Sequence, residues 1–306
     1  MRNNNRFDPD THYAVAMHPP RAYTHHITRR FLDIPYANLS LSQALDIYLP
    51  DEGSEPFPVI LSIHGGAFMG CDKADMQVLP ALEGLKRGYA VVAINYRLSW
   101  EATFPALVQD AKAAVRWVRG NAHWFHLDPH RIAAWGGSAG GYISTMLGVS
   151  AGICELEDLS LGNPEQASDV QAVVDWYSPT NFLKMDEQLS ANGLAPVEGH
   201  EHSGVDSPES LLLGAKITNI PEKVAAVNPE RYIHPNIPPF LIQHGDRDAT
   251  VPVQQSIELA EKLRKSCGDE RITLDIFEGF DHGDRRFESP VNVTKILDFL
   301  DRYLNN

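Results

Sequence analysis

Residues 131–149, Arg-Ile-Ala-Ala-Trp-Gly-Gly-Ser-Ala-Gly-Gly-Tyr-Ile-Ser-Thr-Met-Leu-Gly-Val, decide the fold. The apolar run Ile132 to Trp135 reads as a short buried strand. It breaks at Gly136-Gly137-Ser138-Ala139-Gly140 and resumes as a helix with small residues on its first turn. Gly-x-Ser-x-Gly acquires meaning between a strand and a helix, where a sharp turn exposes the serine hydroxyl. Glycines two before and two after that serine let strand and helix approach without Cβ clashes. The hydroxyl then sits at the positive end of a helix, where developing negative charge is favoured.

Working outward, residues 27–34 and 43–49 alternate as antiparallel strands do, and Val59–Ile63 reads as a fully buried strand. His64-Gly65-Gly66-Ala67-Phe68-Met69-Gly70 follows, then a helical stretch to about Arg87 ended by Gly88, then a strand over Ala90–Asn95. Pro105–Phe125 has the spacing of a long amphipathic helix. Beyond the serine, strands are expected over Val170–Trp176, Pro239–Gln243 and Ile272–Phe277, with helices over Val253–Lys265 and Val291–Leu304. Strands alternating with helices after an antiparallel start imply an α/β protein, its mostly parallel central sheet covered on both faces. The stretch 178–237 is too long for a plain connection and reads as a cap inserted at the carboxyl edge of the sheet, where ligands bind in open α/β folds. Residues 1–26 read as an irregular arm carrying His12, His18, His25 and His26, with residues 27–306 expected to form the α/β domain.

A serine nucleophile needs a base, and the base an orienting carboxylate. His244-Gly245-Asp246-Arg247-Asp248 stands just past one buried strand, and Asp281-His282-Gly283 just past the last. The order Ser138, Asp248, His282 is that of the α/β-hydrolases. Asp246 is the rival for the acid. Small residues with free N–H groups after a strand can bind an oxyanion, which assigns the amides of Gly66, Ala67 and Ala139.

His64-Gly65-Gly66-Ala67-Phe68, Tyr96-Arg97-Leu98 with Pro105-Ala106 and Asp110, the Ser138 elbow, His244–Asp248 and Asp281-His282-Gly283 together resemble the hormone-sensitive-lipase-like carboxylesterases. The closest likeness is to their bacterial feruloyl- and acetylxylan-esterase-like (BD-FAE-like) branch, and it spans about residues 27–304, with Ser207-Pro208-Glu209-Ser210 in the insertion. The resemblance implies a serine carboxylesterase acting on small acyl esters, acetyl or feruloyl and aryl, in some cases on carbohydrate, with no cofactor. The acid is implied at Asp248, four residues after His244. Two positions depart from the family's pattern: Ala67 replaces a third glycine, and Gly137 stands where many members carry Asp. Alternatives are an amidase of the arylformamidase type, or a ligand-binding pseudo-hydrolase, against which the presence of His282 argues.

Phe68, Trp100, Trp176, Tyr177 and Phe182 could line an aromatic pocket, with core packing the competing role for each. Arg97 with Asp110 reads as a structural tie. His64 reads as a support for the oxyanion loop. No metal site is expected: His123, His126 and His130 are interrupted by Pro129, and Glu198, His200, Glu201, His202 and Asp206 read as a solvated loop. The 306 residues carry 26 basic and 40 acidic side chains, a net charge of −14 that disfavours nucleic acid and anionic membrane surfaces as partners. Three widely spaced cysteines and no apolar leader or spanning segment point to the cytoplasm. A small-molecule ester is the partner implied.

Overall fold

A computed structural model of the protein describes residues 19–194 and 201–305. Eight strands form one sheet: β1 (Arg30–Pro35), β2 (Ala44–Tyr48), β3 (Phe57–Ile63), β4 (Ala90–Ile94), β5 (Leu127–Gly137), β6 (Ala172–Trp176), β7 (Phe240–Gly245) and β8 (Ile272–Phe277). Their spatial order is β1-β2-β4-β3-β5-β6-β7-β8. The pairs β1–β2 and β2–β4 are antiparallel, and every pair from β4–β3 to β7–β8 is parallel.

Strand alternation splits the core in two. On β3, Val59, Leu61 and Ile63 face one layer while Ile60 faces the other. On β5, Ile132 and Ala134 face the first, Ala133 and Trp135 the second. This is the period of two expected of a pleated strand apolar on both faces. The first layer is closed by α2 (Ala106–Asn121), α3 (Ala139–Val149) and α7 (Gln254–Cys267). The second is closed by the segment Met76–Arg87, which includes α1 (Leu79–Leu82), and by α8 (Pro290–Leu304). In α8, Val293, Ile296, Leu297, Leu300 and Leu304 recur on one face and are buried. Each such side chain contributes roughly 1.5–3 kcal/mol when withdrawn from water.

Three expectations needed correction. The helix to Arg87 is not continuous: a 3-10 turn (Met76–Val78), α1 and a second 3-10 turn (Glu83–Arg87) follow one another. Gly84 is the reason for the close seat of this segment, since a Cβ there would stand 2.6 Å from Ile60 Cδ1. The helix after Pro105 ends at Asn121 and passes into a 3-10 turn (Ala122–Phe125) closed by His126 with left-handed φ. Strand β5 begins at Leu127, not Ile132: Leu127 pairs with Phe57 and Ile132 with Val59, so the irregularity between the two pairs lies in β5.

Between β6 and β7 the chain forms α4 (Met185–Ala191), α5 (Pro208–Leu213) and α6 (Pro221–Val227), short helices that alternation does not reveal. Phe182, Met185, Leu212, Leu213, Ile217, Val224 and Val227 join the first core layer, and Tyr142 Oη donates to the Val227 carbonyl at 2.7 Å. Among the described residues, no helix is long and apolar enough to cross a membrane.

Candidate active site

The site lies at the carboxyl ends of β3, β5, β7 and β8. Ser138 joins β5 to α3 with φ 56° and ψ −122°, a left-handed conformation that costs a non-glycine residue on the order of 1–3 kcal/mol. The residues two before and two after it must be glycine. A Cβ on Gly136 would lie 2.4 Å from the Gly140 carbonyl carbon, and one on Gly140 would lie 2.1 Å from the Ile63 oxygen. The Ser138 amide donates to the Trp176 carbonyl at 2.9 Å, tying the turn to β6.

Ser138 Oγ stands 3.0 Å from His282 Nε2, and His282 Nδ1 stands 2.7 Å from Asp248 Oδ2. The carboxylate fixes the tautomer: with the proton on Nδ1, the Nε2 lone pair faces the serine hydroxyl and can accept its proton. Asp248 Oδ1 accepts from the amides of Thr250 at 2.9 Å and Val251 at 2.7 Å. Burial pushes the Asp248 carboxyl upward, but the His282 and His244 rings more than offset it and hold the group well below the ordinary carboxylate range. Asp246, the rival acid, faces elsewhere: its Oδ1 accepts from the Gly279 amide at 2.7 Å.

His244 is a residue whose part sequence reasoning missed. Fully buried, its Nε2 lies 2.8 Å from the Val251 carbonyl and 3.2 Å from Asp248 Oδ2, while its Nδ1 lies 2.7 Å from Ser256 Oγ. A proton on Nε2 satisfies both acceptors and lets Nδ1 accept from the Ser256 hydroxyl. Its place as the last side chain of β7 before the acid was the available signal.

The loop after β3 turns through left-handed φ at Gly66 (105°), Ala67 (51°) and Phe68 (64°). Several of its carbonyls are occupied: Gly66 O accepts from the Met69 and Gly70 amides, Phe68 O from the Ser99 amide, and Tyr96 Oη donates to His64 O at 2.9 Å. The Gly65 amide donates to Gln77 Oε1 at 2.8 Å. Among the described residues, no protein acceptor takes the amides of Gly66, Ala67 or Ala139. His64 Nδ1 lies 2.8 Å from Gly65 O, and its ring stacks on Tyr96 with centroids 4.5 Å apart, which fits a supporting role.

Of the aromatic residues, Tyr177 touches the site: its ring meets His282 edge-on at 4.8 Å. Phe68 and Phe182 are buried against Tyr142, and Trp176 is buried with its Nε1 donating to Gln243 Oε1 at 2.7 Å. Trp100 is 72% exposed. Arg97 and Asp110 form the expected tie, with Nε–Oδ2 at 2.9 Å and Nη2–Oδ1 at 2.8 Å, and Gln43 Nε2 adds to Oδ1 at 2.7 Å.

The cap cluster differs from a solvated loop at its centre. His202 is buried, with Nδ1 3.0 Å from Glu209 Oε1 and Nε2 2.8 Å from the Thr250 carbonyl, so it joins the insertion to the acid loop. Glu198 and His200 lie outside the described residues, as do His12 and His18 of the arm. His25 and His26 both pack on Tyr23. His126 Nδ1 pairs with Glu55 at 2.7 Å.

A parallel sheet with an antiparallel start, a strained Ser elbow after the fifth strand and the acid and histidine after the seventh and eighth define an α/β-hydrolase. The BD-FAE family model matches residues 45–263, and the chain belongs to that family. Among relatives, the "Probable carboxylic ester hydrolase LipM" of Mycobacterium tuberculosis is 30% identical over 236 residues, covering 76% of this chain and 51% of that protein. The "Isoprenylcysteine alpha-carbonyl methylesterase ICME" of Arabidopsis thaliana is 25% identical over 82% of this chain and 56% of that protein. The chain thus spans about half the length of these curated relatives. A solved structure described as "Truncated form of carbohydrate esterase from gut microbiota" superposes with TM-score 0.80 at 31% identity, over 94% of this chain and 100% of that one. Propionate-bound esterase 2 of Thermogutta terrifontis superposes with TM-score 0.68 at 26% identity, over 93% and 96%.

Proposed function

We propose that the protein is a serine carboxylesterase acting on small acyl esters, with acetyl and feruloyl or aryl groups, some carried on carbohydrate. The observation that carries the reading is the unbroken series Ser138 Oγ–His282 Nε2 at 3.0 Å and His282 Nδ1–Asp248 at 2.7 Å. Ser138 Oγ attacks the ester carbonyl as its proton passes to His282, and the carbonyl electron pair moves to the oxygen. The amides of Gly66, Ala67 and Ala139 receive that oxyanion. Collapse breaks the bond to the alcohol, which leaves with the proton from His282. Water, deprotonated by the same imidazole, then attacks the acyl-enzyme; the acid departs and Ser138 recovers its proton. Asp248 stabilises the imidazolium at each stage. The family and the esterase names of relatives support the class, and the carbohydrate-esterase neighbour supports sugar esters. Residues 178–237, linked to the acid loop through His202, serve as the cap in this reading. Sparse cysteine usage supports a reducing compartment, the cytoplasm.

The test is a rate series on p-nitrophenyl esters from acetate to laurate, with methyl ferulate and acetylated xylo-oligosaccharide beside it. Short acyl chains should be preferred. Ser138→Ala should cost up to ~10⁶ in rate, as removal of a triad nucleophile does elsewhere. Silence on every ester, with Ser138 unlabelled by a fluorophosphonate, overturns the reading.

A further inference from the structure

At the end of β6 the alternation of the strand breaks. Val173 faces the first core layer, while Val174 and Trp176 belong to the second. By that period Tyr177 would turn back to the first layer. Instead its ring packs with the second, against Trp176 and Phe287, with centroids 6.3 and 4.7 Å apart. The cause is a backbone φ of 40° at Tyr177, in the left-handed region that a bulky side chain adopts only under strain. Its amide still donates to the Gln243 carbonyl at 2.8 Å, so pairing with β7 holds the residue in that conformation. Strain of this kind persists only where the surrounding structure enforces it, and it gathers at functional sites.

The strained turn brings the ring between the nucleophile and its base. On one side it meets His282 edge-on at 4.8 Å and buried His244 at 6.4 Å, the two imidazoles that share Asp248 Oδ2. On the other side it abuts the Ser138 turn. A Cβ on Gly137 would lie 2.9 Å from the Tyr177 hydroxyl and 3.2 Å from Cε2 and Cζ, the three nearest atoms it would meet. Gly137 has no left-handed φ of its own, so the Tyr177 ring is what requires a glycine there. His282 needs such a neighbour. Its hydrogen bonds at Nδ1 and Nε2 leave the imidazole free to swing about the line joining those two atoms, yet both bonds are strong only near the ring plane. A contact away from that line fixes the plane. Among the described residues, Tyr177 is the one aromatic ring that meets His282.

We infer that Tyr177 is a positioning residue for acyl transfer: its ring sets the plane of the His282 imidazole, and position 137 is glycine so that the ring can stand there. The inference rests on the esterase reading. It assigns Tyr177 to the base, through which it acts, and not to the substrate pocket.

Three substitutions test it: Tyr177→Phe keeps the ring, Tyr177→Leu removes it, and Gly137→Ala drives a methyl group into it. The readouts are kcat and KM on p-nitrophenyl acetate, and the low-field proton resonance of the His282–Asp248 hydrogen bond, which needs no substrate. Tyr177→Leu should displace that resonance and lower kcat roughly ten- to a hundredfold with KM nearly unchanged, the range from one lost aromatic contact to a misplacement of about 1 Å. Tyr177→Phe should keep the resonance and stay within about threefold of wild type in kcat. Gly137→Ala should lower kcat roughly tenfold, and adding Tyr177→Phe, which takes away the closest clash, should recover about threefold of that loss or more. A wild-type kcat with an unmoved resonance in Tyr177→Leu overturns the inference. A loss confined to KM overturns it too, because the ring then belongs to the pocket. Should Tyr177→Leu fail to fold, Gly137→Ala decides: full activity, or the same loss with and without the Tyr177 hydroxyl, overturns it. A wild type inert on every ester, with Ser138 unlabelled by fluorophosphonate, overturns the esterase reading, and the resonance still decides whether Tyr177 holds His282.

Discussion

Two loops meet near Ser138 and differ in what they present and in how it is held. The acid loop, from His244 to Pro252, is held by side chains: Asp248 gathers two amides and two imidazoles, His244 bridges to Val251 and Ser256, and His202 reaches in from the insertion to Thr250. The oxyanion loop proposed from His64 to Cys71 takes its shape from its backbone, with Gln77, Tyr96 and Ser99 side chains bonding to it. It carries left-handed φ at Gly66, Ala67, Phe68 and Cys71, with Gly66 O on the Met69 and Gly70 amides, His64 O and Gly65 O on Tyr96 Oη, and Phe68 O on Ser99. A loop that must present a charged carboxylate needs partners for that charge. In the proposed mechanism the second loop presents bare N–H groups, which needs a backbone shape that keeps those groups out of internal hydrogen bonds. The first therefore answers to titration and side-chain replacement, the second to any added Cβ.

The largest effect on this contrast comes from the acid. Asp248→Asn keeps the shape but removes the charge that selects the His282 tautomer, and kcat should fall on the order of 10⁴ with an unchanged fold by circular dichroism. A loss below about tenfold would transfer the role to another carboxylate and break the side-chain account of this loop. Gly66→Ala attacks the other loop. Its Cβ would stand 2.4 Å from Gly70 O at φ 105°, so the amides must shift, and kcat should drop about 10²–10³ with native fluorophosphonate access to Ser138. A fully active alanine variant would show that the loop is not held by its backbone shape.

A smaller effect belongs to the tether between insertion and acid loop. Burial alone would lower the His202 pKa, but Glu209 more than offsets it and raises the group from 6.5 to about 9. Since the folded value exceeds the unfolded one, the charged pair stabilises fully below about pH 6.5, and this is lost as pH rises through about 9. The contribution is on the order of 3 kcal/mol at most. Urea unfolding of wild type and His202→Gln from pH 6 to 10 should show a stability gap that narrows toward alkaline pH. A gap that stays constant would reduce His202 to a neutral hydrogen-bonding residue. The smallest effect is expected of Asp246→Asn, whose carboxylate meets the Gly279 amide at the loop surface: kcat/KM should change by less than about threefold, within the net worth of one hydrogen bond. A large loss there would restore Asp246 as the acid.

The strands and the elbow were legible because their signals are local. Apolar runs such as Ile272–Phe277 mark buried strands wherever they sit, and Gly136, Ser138 and Gly140 are residues that a strand–turn–helix junction demands. The insertion was not legible in detail. Its helices are six or seven residues long, and helices so short are marginal on their own, drawing stability from packing that no periodicity records. For the same reason His202 read as part of a polar loop although it is buried, and His244 read only as the head of a motif. Both make their contacts across 7 to 48 residues of chain.

The sequence by itself determined the chain order of the main strands and helices, the family, and a short set of candidates after successive strands: Ser138, His282 and two rival carboxylates, Asp246 and Asp248. Tertiary structure decided which carboxylate faces His282, which amides stay unpaired, and that His202 and His244 are buried against the acid loop. The physical reason is that propensity and pattern act over a few residues, whereas distance, burial and hydrogen-bond satisfaction arise only when distant segments close on one another.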